Sequence, residues 1–183
     1  MIGWVDIETY HPRLDVTEVG ADRYAREAEI VLFSMALGDD DPMVWEVGDD
    51  PEGPIELLAK ASRIVAHNSF FERNVFGRRG WCRRPVKDWG CTMAQAYAHG
   101  LPGGLDMLCK TLGLSEAQGK VADGKRLIRL FSKPQRGGIR LNKNDEPAEW
   151  AKFRAYVKQD VVAMRECYYR MPRVNLDAAG LRA

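Results

Sequence analysis

The chain has 183 residues, enough for one domain of ordinary size with a substantial core. Hydrophobic residues make up 45% and charged residues 29%, which excludes a disordered chain, and no run approaches the roughly 18 apolar residues a membrane-spanning helix needs. The net charge of +1 hides an asymmetry: residues 1–60 carry 4 Lys/Arg against 15 Asp/Glu, and residues 61–183 carry 23 against 11, so an acidic feature is expected to face a basic surface.

In chain order, IGWVDIE (2–8) is apolar and β-branched and predicts a short buried strand. A polar segment follows, then IVLFSMAL (30–37) predicts a second strand. GDDDP (38–42) is turn chemistry and MVWEV (43–47) a third strand, so a hairpin is expected. PIELLAKAS, from Pro54, predicts a helix with Ile55, Leu57, Leu58 and Ala61 mainly on one face. RIVAHN (63–68) is another short apolar run, followed by a helix that starts near Asn68 or Ser69 and ends at Gly80. CTMAQAYAHG and GLDMLCKTLGL predict helices, each closed by a glycine. SKPQRGGIRLNKNDEP (132–147) predicts a basic surface loop or hairpin, and Pro147 opens the longest helix, to about Met171. The order describes an α/β domain with a mixed sheet.

The acids of residues 39–56, eight with no Lys or Arg, suit a solvated loop. The basic stretches 73–87 (Arg73, Arg78, Arg79, Arg83, Arg84 and Lys87, no acid) and 120–143 (eight Lys/Arg, with Asp123) suit phosphate backbones. Cys82, Cys91, Cys109 and Cys167 include no C-x-x-C pair, which argues for free thiols in a reducing cytoplasm. MIGWVDIETY lacks the charged-then-apolar layout of a signal peptide. A cytoplasmic monomer that does not engage a membrane is the expectation.

Asp6 and Glu8 stand two apart on the first strand, so both carboxylates project from one face of the sheet. Like charges side by side in apolar surroundings repel unless a cation or hydrogen bonds compensate, and a hard divalent metal is the economical answer. An exposed strand is the ordinary alternative. In VAHNSFFE (65–72) a strand ends at Asn68 and Glu72 lies one turn into the next helix; an N-cap asparagine followed by a surface glutamate would look the same. Tyr156 and Asp160 sit at i, i+4 on the long helix, which places a phenol and a carboxylate on one face, and a surface pair would share that spacing.

Together, DIET (6–9), HNSFFE (67–72) and YVKQD (156–160) resemble the three exonuclease motifs of the DEDD family of 3′→5′ exonucleases, in its tyrosine-bearing (DnaQ-like) branch. CTMAQAYAHGLPGGLDMLCKTLGL (91–114) and KRLIRLFSKPQ (125–135) resemble segments of the proofreading domains of phage family-A DNA polymerases, so the resemblance spans Ile2 to about Met171. It implies a ribonuclease-H-like fold, a central mixed five-stranded sheet flanked by helices, with an exonuclease domain over 1–171 and a tail or linker over 172–183.

The resemblance also implies a hydrolase with two Mg2+ or Mn2+ ions that removes nucleotides from the 3′ end of single-stranded DNA, proofreading for a polymerase domain or subunit. Asp6, Glu8 and Asp160 would hold one metal, Asp6 would bridge to a second whose water shell Glu72 engages, and Tyr156 would orient the attacking water. Thr9 would touch the terminal nucleotide, Asn68, His67 and Phe71 would contact the last nucleotides, and Leu105 would line the path of the 3′ end. Two cations about 3.5–4 Å apart suit the chemistry, one generating the nucleophile and the other neutralising the leaving oxygen.

One departure is that the family's second motif usually ends in aspartate, and here Glu72 reaches one methylene further. The histidine-bearing branch is set aside because the histidine it needs, five residues before the last aspartate, is Ala155. The rival readings are an exoribonuclease with the same chemistry and a catalytically silent DNA-holding module.

Overall fold

A computed structural model of the chain describes residues 1–115, 119, 123–135 and 139–172. The first apolar run becomes β1 (Ile2–Tyr10), the central strand, which pairs antiparallel with β2 (Glu29–Leu37) and parallel with β4 (Arg63–Ala66). β3 (Met43–Glu46) closes the expected hairpin on β2, and β5 (Trp89–Cys91) lies parallel to β4. The sheet order is β3-β2-β1-β4-β5. This is the mixed five-stranded α/β sheet expected of a ribonuclease-H-like fold, with helices on both faces.

Eight α-helices are described. α1 (Val16–Val19) and α2 (Ala21–Glu27) occupy the polar segment after β1. α3 (Glu52–Lys60) starts two residues before Pro54, which sits in its first turn, where no intrahelical N–H is needed. α4 (Ser69–Arg79) is bounded by two left-handed residues, Asn68 (φ 70°) and Gly80 (φ 76°). α5 (Thr92–Ala98) and α6 (Leu105–Thr111) match the predicted helices, α7 (Gly124–Phe131) was not predicted, and α8 (Pro147–Arg170) opens on its proline as expected. Within 132–147 the described residues form turns and no strand, Gln135 N–H donating to the Ile139 carbonyl at 2.8 Å. Residues 173–183, most of the expected tail, lie outside the described residues.

Alternation along β1 divides the core. Val5 and Ile7 face a cluster with Phe33, Met35, Ile64, Leu58 of α3 and Val75 and Phe76 of α4. Trp4 faces the opposite side, with Val65, Leu105, Leu108, Val161 and Met164. A third cluster joins Tyr10 and Leu32 to Leu127 and Phe131 of α7 and Trp150, Phe153 and Tyr156 of α8. Each fully buried large side chain contributes about 1.5–3 kcal/mol, so α8, which buries nine residues, is fastened to the face of the sheet that carries Asp6 and Glu8.

The charge asymmetry resolves within the molecule. Acids of the first 60 residues pair with bases of the remainder: Asp15 with Lys133 (2.6 Å), Asp22 with Arg78 (3.2 Å), Glu29 with Arg140, and Glu46 with Lys143 (3.2 Å) and Arg154. Part of the 73–87 stretch is structural as well. Arg84 donates to the Leu58 and Ala59 carbonyls at the end of α3 (3.2 and 2.8 Å), and Arg79 donates to the Ala28 carbonyl after α2. Cations near helix C-termini also complement the dipole. Among the described residues no helix is long and apolar enough to cross a membrane.

Candidate active site

β1 carries Asp6 and Glu8 on the same side of the sheet as Trp4, toward α8. A register shift in the β1–β2 ladder falls between Glu8 and Thr9, so the strand is irregular at this point. Glu8 (9% exposed), Glu72 (3%), Tyr156 (1%) and Asp160 (5%) are all buried, which is unusual for so many acids.

Their electrostatics tie them together. Burial raises the Tyr156 phenol far above the ordinary tyrosine range, and the nearby charges of Asp160, Glu8 and Asp6 and a hydrogen bond with Asp160 push it the same way. One phenol thus feels the carboxylates of β1 and α8 at once. Glu72 is reached from the other layer, since α4 starts directly after β4. Burial raises its carboxyl well above the usual glutamate range, and Cys91 and Glu8 add to the effect. The chain therefore brings Asp6, Glu8, Glu72, Tyr156 and Asp160 to one region beside β1.

A cavity of about 460 Å³ opens beside Glu8, the one of these five residues in its lining, and is walled also by Thr9, Tyr24, Phe71, Ser132 and Lys133 among others. Thr9 and Phe71 are thus at its wall. Tyr24 packs 6.1 Å from Phe71, ring to ring, and shares a hydrogen bond with Thr9; burial raises its phenol. His67 is bonded on both ring nitrogens, Nδ1 to Thr92 Oγ1 (2.9 Å) and Nε2 to the Gly103 carbonyl (2.7 Å). Since a carbonyl only accepts, Nε2 carries a proton. His67 thereby ties the end of β4 to α5 and the turn before α6.

Asn68 is exposed, and it is the one non-glycine residue with positive φ among the described residues. Its side chain makes no capping bond, while its carbonyl accepts from Phe71 N–H at 2.9 Å. Asparagine tolerates this left-handed conformation better than most residues. Leu105 is buried in the cluster with Trp4, Val65 and Leu108. Phe70, by contrast, is 51% exposed, with the Arg73 guanidinium 5.8 Å above its ring.

Sequence reasoning missed Ser132, whose hydroxyl donates to Glu8 Oε2 at 3.3 Å, and Tyr24. Nothing local marks either one; they reach the site only through tertiary packing across 124 residues in the case of Ser132.

The donor set is all oxygen, which is what hard divalent cations select. Glu72 Oε2 is buried and has no hydrogen-bond partner among the described residues, an arrangement costing about 1–3 kcal/mol that an ion would relieve. In donor chemistry these residues fit Mg2+ or Mn2+. Among the described residues, however, no three His, Cys, Asp or Glu side chains stand close enough together to enclose one ion. Mutual repulsion of carboxylates works in that direction.

No protein-family model matches the chain. It is 33% identical over 181 residues to the DNA polymerase of Bacillus phage SP02, a match that covers 92% of this chain and 28% of that polymerase. The chain thus spans little more than a quarter of that relative's length. A solved structure described as the apo form of a nuclease is similar with a TM-score of 0.47 and 16% identity, over 93% of this chain and 70% of that one.

Proposed function

We propose that this chain is a metal-dependent 3′→5′ exonuclease domain of the DEDD type, acting on single-stranded DNA and associated with a DNA polymerase. The observation that carries the reading is the joint burial of Glu8, Glu72, Tyr156 and Asp160 beside the half-buried Asp6, with the phenol feeling the charges of Asp160, Glu8 and Asp6. Similarity to a phage DNA polymerase across 92% of the chain supports the polymerase association.

Asp6, Glu8 and Asp160 would hold one divalent cation, and Asp6 with Glu72, through the ion's water shell, a second. Bound cations supply a nucleophilic hydroxide at neutral pH and neutralise the departing oxyanion. The protein's own residues do the rest. Tyr156, kept protonated by its surroundings, offers a fixed hydroxyl to orient the attacking water. Thr9, Tyr24 and Phe71 wall a cavity able to take a terminal nucleotide, where an aromatic ring gives a stacking surface. Arg13 on the same rim offsets phosphate charge.

The test is a 5′-labelled single-stranded DNA with Mg2+, with Mn2+ and with EDTA, alongside Asp6→Ala and Asp160→Ala and an RNA of the same sequence. A ladder shortening from the 3′ end, absent with EDTA and in both variants, is expected, with DNA cleaved faster. Faster cleavage of RNA would replace the substrate assignment. The separation of the potential metal donors favours a second reading, a silent DNA-holding module; DNA binding without cleavage in either metal would establish it and overturn the first.

A further inference from the structure

The contacts of α7 reach two of the acting side chains from opposite ends. At its start, a Cβ placed on Gly124 would lie 2.2 Å from Tyr156 Cε2 and 2.8 Å from Cζ, closer than any side chain permits. Gly124 has no positive φ, so what the position requires is the missing side chain rather than glycine's backbone freedom. The Tyr156 ring, seated against the backbone of α7, also lies parallel to Phe153 (8° between planes, centroids 6.3 Å apart). Just past the end of α7, Ser132 donates to Glu8 Oε2 at 3.3 Å, with both residues only 9% exposed. Leu127 and Phe131 bury the face between them, and Arg126 bridges Asp123 to Glu149 of α8.

We infer that Gly124 and Ser132 are positioning residues, the first setting the Tyr156 ring and the second the Glu8 carboxylate, so that α7 holds a phenol and a carboxylate in fixed relation. The inference rests on the nuclease reading. Neither residue touches substrate in this role. Gly124 acts by leaving room for the ring, and Ser132 acts by occupying one oxygen of Glu8, which restricts the carboxylate to one orientation.

The experiment uses the full chain labelled with 3-fluorotyrosine, with the Tyr156 resonance assigned by its loss in Tyr156→Phe. In Gly124→Ala that resonance moves, kcat on the labelled oligonucleotide falls about 10²-fold as expected for a displacement near 1 Å, and KM stays within about twofold. Ser132→Ala lowers kcat about tenfold, as expected for a loosened orienting contact, without changing the melting temperature, and Ser132→Thr, which keeps the hydroxyl, restores it. An unmoved resonance together with wild-type kcat in Gly124→Ala and Ser132→Ala overturns the inference. If Gly124→Ala fails to fold, the Gly124→Ala/Tyr156→Ala double variant decides: recovered folding supports the contact, and continued failure overturns it. A wild type that cleaves nothing removes the nuclease reading and with it these roles, whereas a cleaving wild type with an unmoved resonance and unchanged rates removes the positioning alone.

Discussion

Glu72 is only 3% exposed, Oε2 lacks a hydrogen-bond partner among the described residues, and burial favours its neutral form. In EDTA, folding therefore holds a proton on Glu72 at pH values where the unfolded chain has released it. With one more proton bound in the folded state, unfolding free energy falls by about 1.4 kcal/mol per pH unit between the two values. Stability from this group is complete below the ordinary glutamate range and is lost as pH rises through the elevated folded value. Glu72→Gln preserves the size of the side chain and abolishes the titration. Urea unfolding from pH 4 to 8 should give wild type a downward slope over the variant's, the difference approaching about 1.4 kcal/mol per unit. Saturating Mg2+ should flatten the wild-type slope, because a nearby cation favours the carboxylate. Parallel pH profiles for the two proteins in EDTA would refute the reasoning.

Three further outcomes follow from the packing. Arg84→Ala removes donors from the Leu58 and Ala59 carbonyls and should cost about 1–2 kcal/mol in urea unfolding, against no change if those bonds are idle. Gly3→Ala would place a Cβ 2.8 Å from Met35 Cε and 2.9 Å from Ala61 Cβ. Overpacking there should cost about 1–3 kcal/mol, read as a lower melting temperature. In the native chain Ellman's reagent should label the half-buried Cys82 and Cys91, while Cys109 and Cys167, buried and facing each other at 3.6 Å, react only on unfolding. The hydrogen bond with Cys109 and, after it, burial raise the Cys167 thiol, so the reactive thiolate is scarce there.

The strands β1 to β4 were legible because each is rich in apolar and β-branched residues. β5 was not, since Trp89-Gly90-Cys91 is three residues long and draws its strand character from pairing with β4. α1 and α2 were missed because Gly20 divides them and only Tyr24 and Ala25 are buried, too few for a period to show. α7 has Leu127 and Phe131 at i, i+4, but they lie within a basic run that reads as surface. At the site, Asp6 with Glu8 and Tyr156 with Asp160 could be seen from local spacing. Glu72 stood out only through resemblance. Ser132, Tyr24 and the close approach of Gly124 to Tyr156 depend on how distant segments meet, and no local pattern encodes that. The two basic stretches were read as surfaces for phosphate, whereas Arg78, Arg79, Arg84, Arg126, Lys133, Arg140 and Lys143 each have partners inside the molecule.

The docking of α8 across β1 and β2 has a consequence during synthesis. Asp6 and Glu8 leave the ribosome before Tyr156 and Asp160, which emerge about 150 residues later, roughly eight to thirty seconds at ordinary elongation rates. Until then the sheet face that α8 covers, with Trp4, Leu32 and Val65, is open to solvent and to other chains. A nascent chain halted before α8 would carry three of the four carboxylates, Asp6, Glu8 and Glu72, and an adhesive apolar surface, so a truncated product is one that a cell's chaperones and proteases would meet before any nucleic acid did.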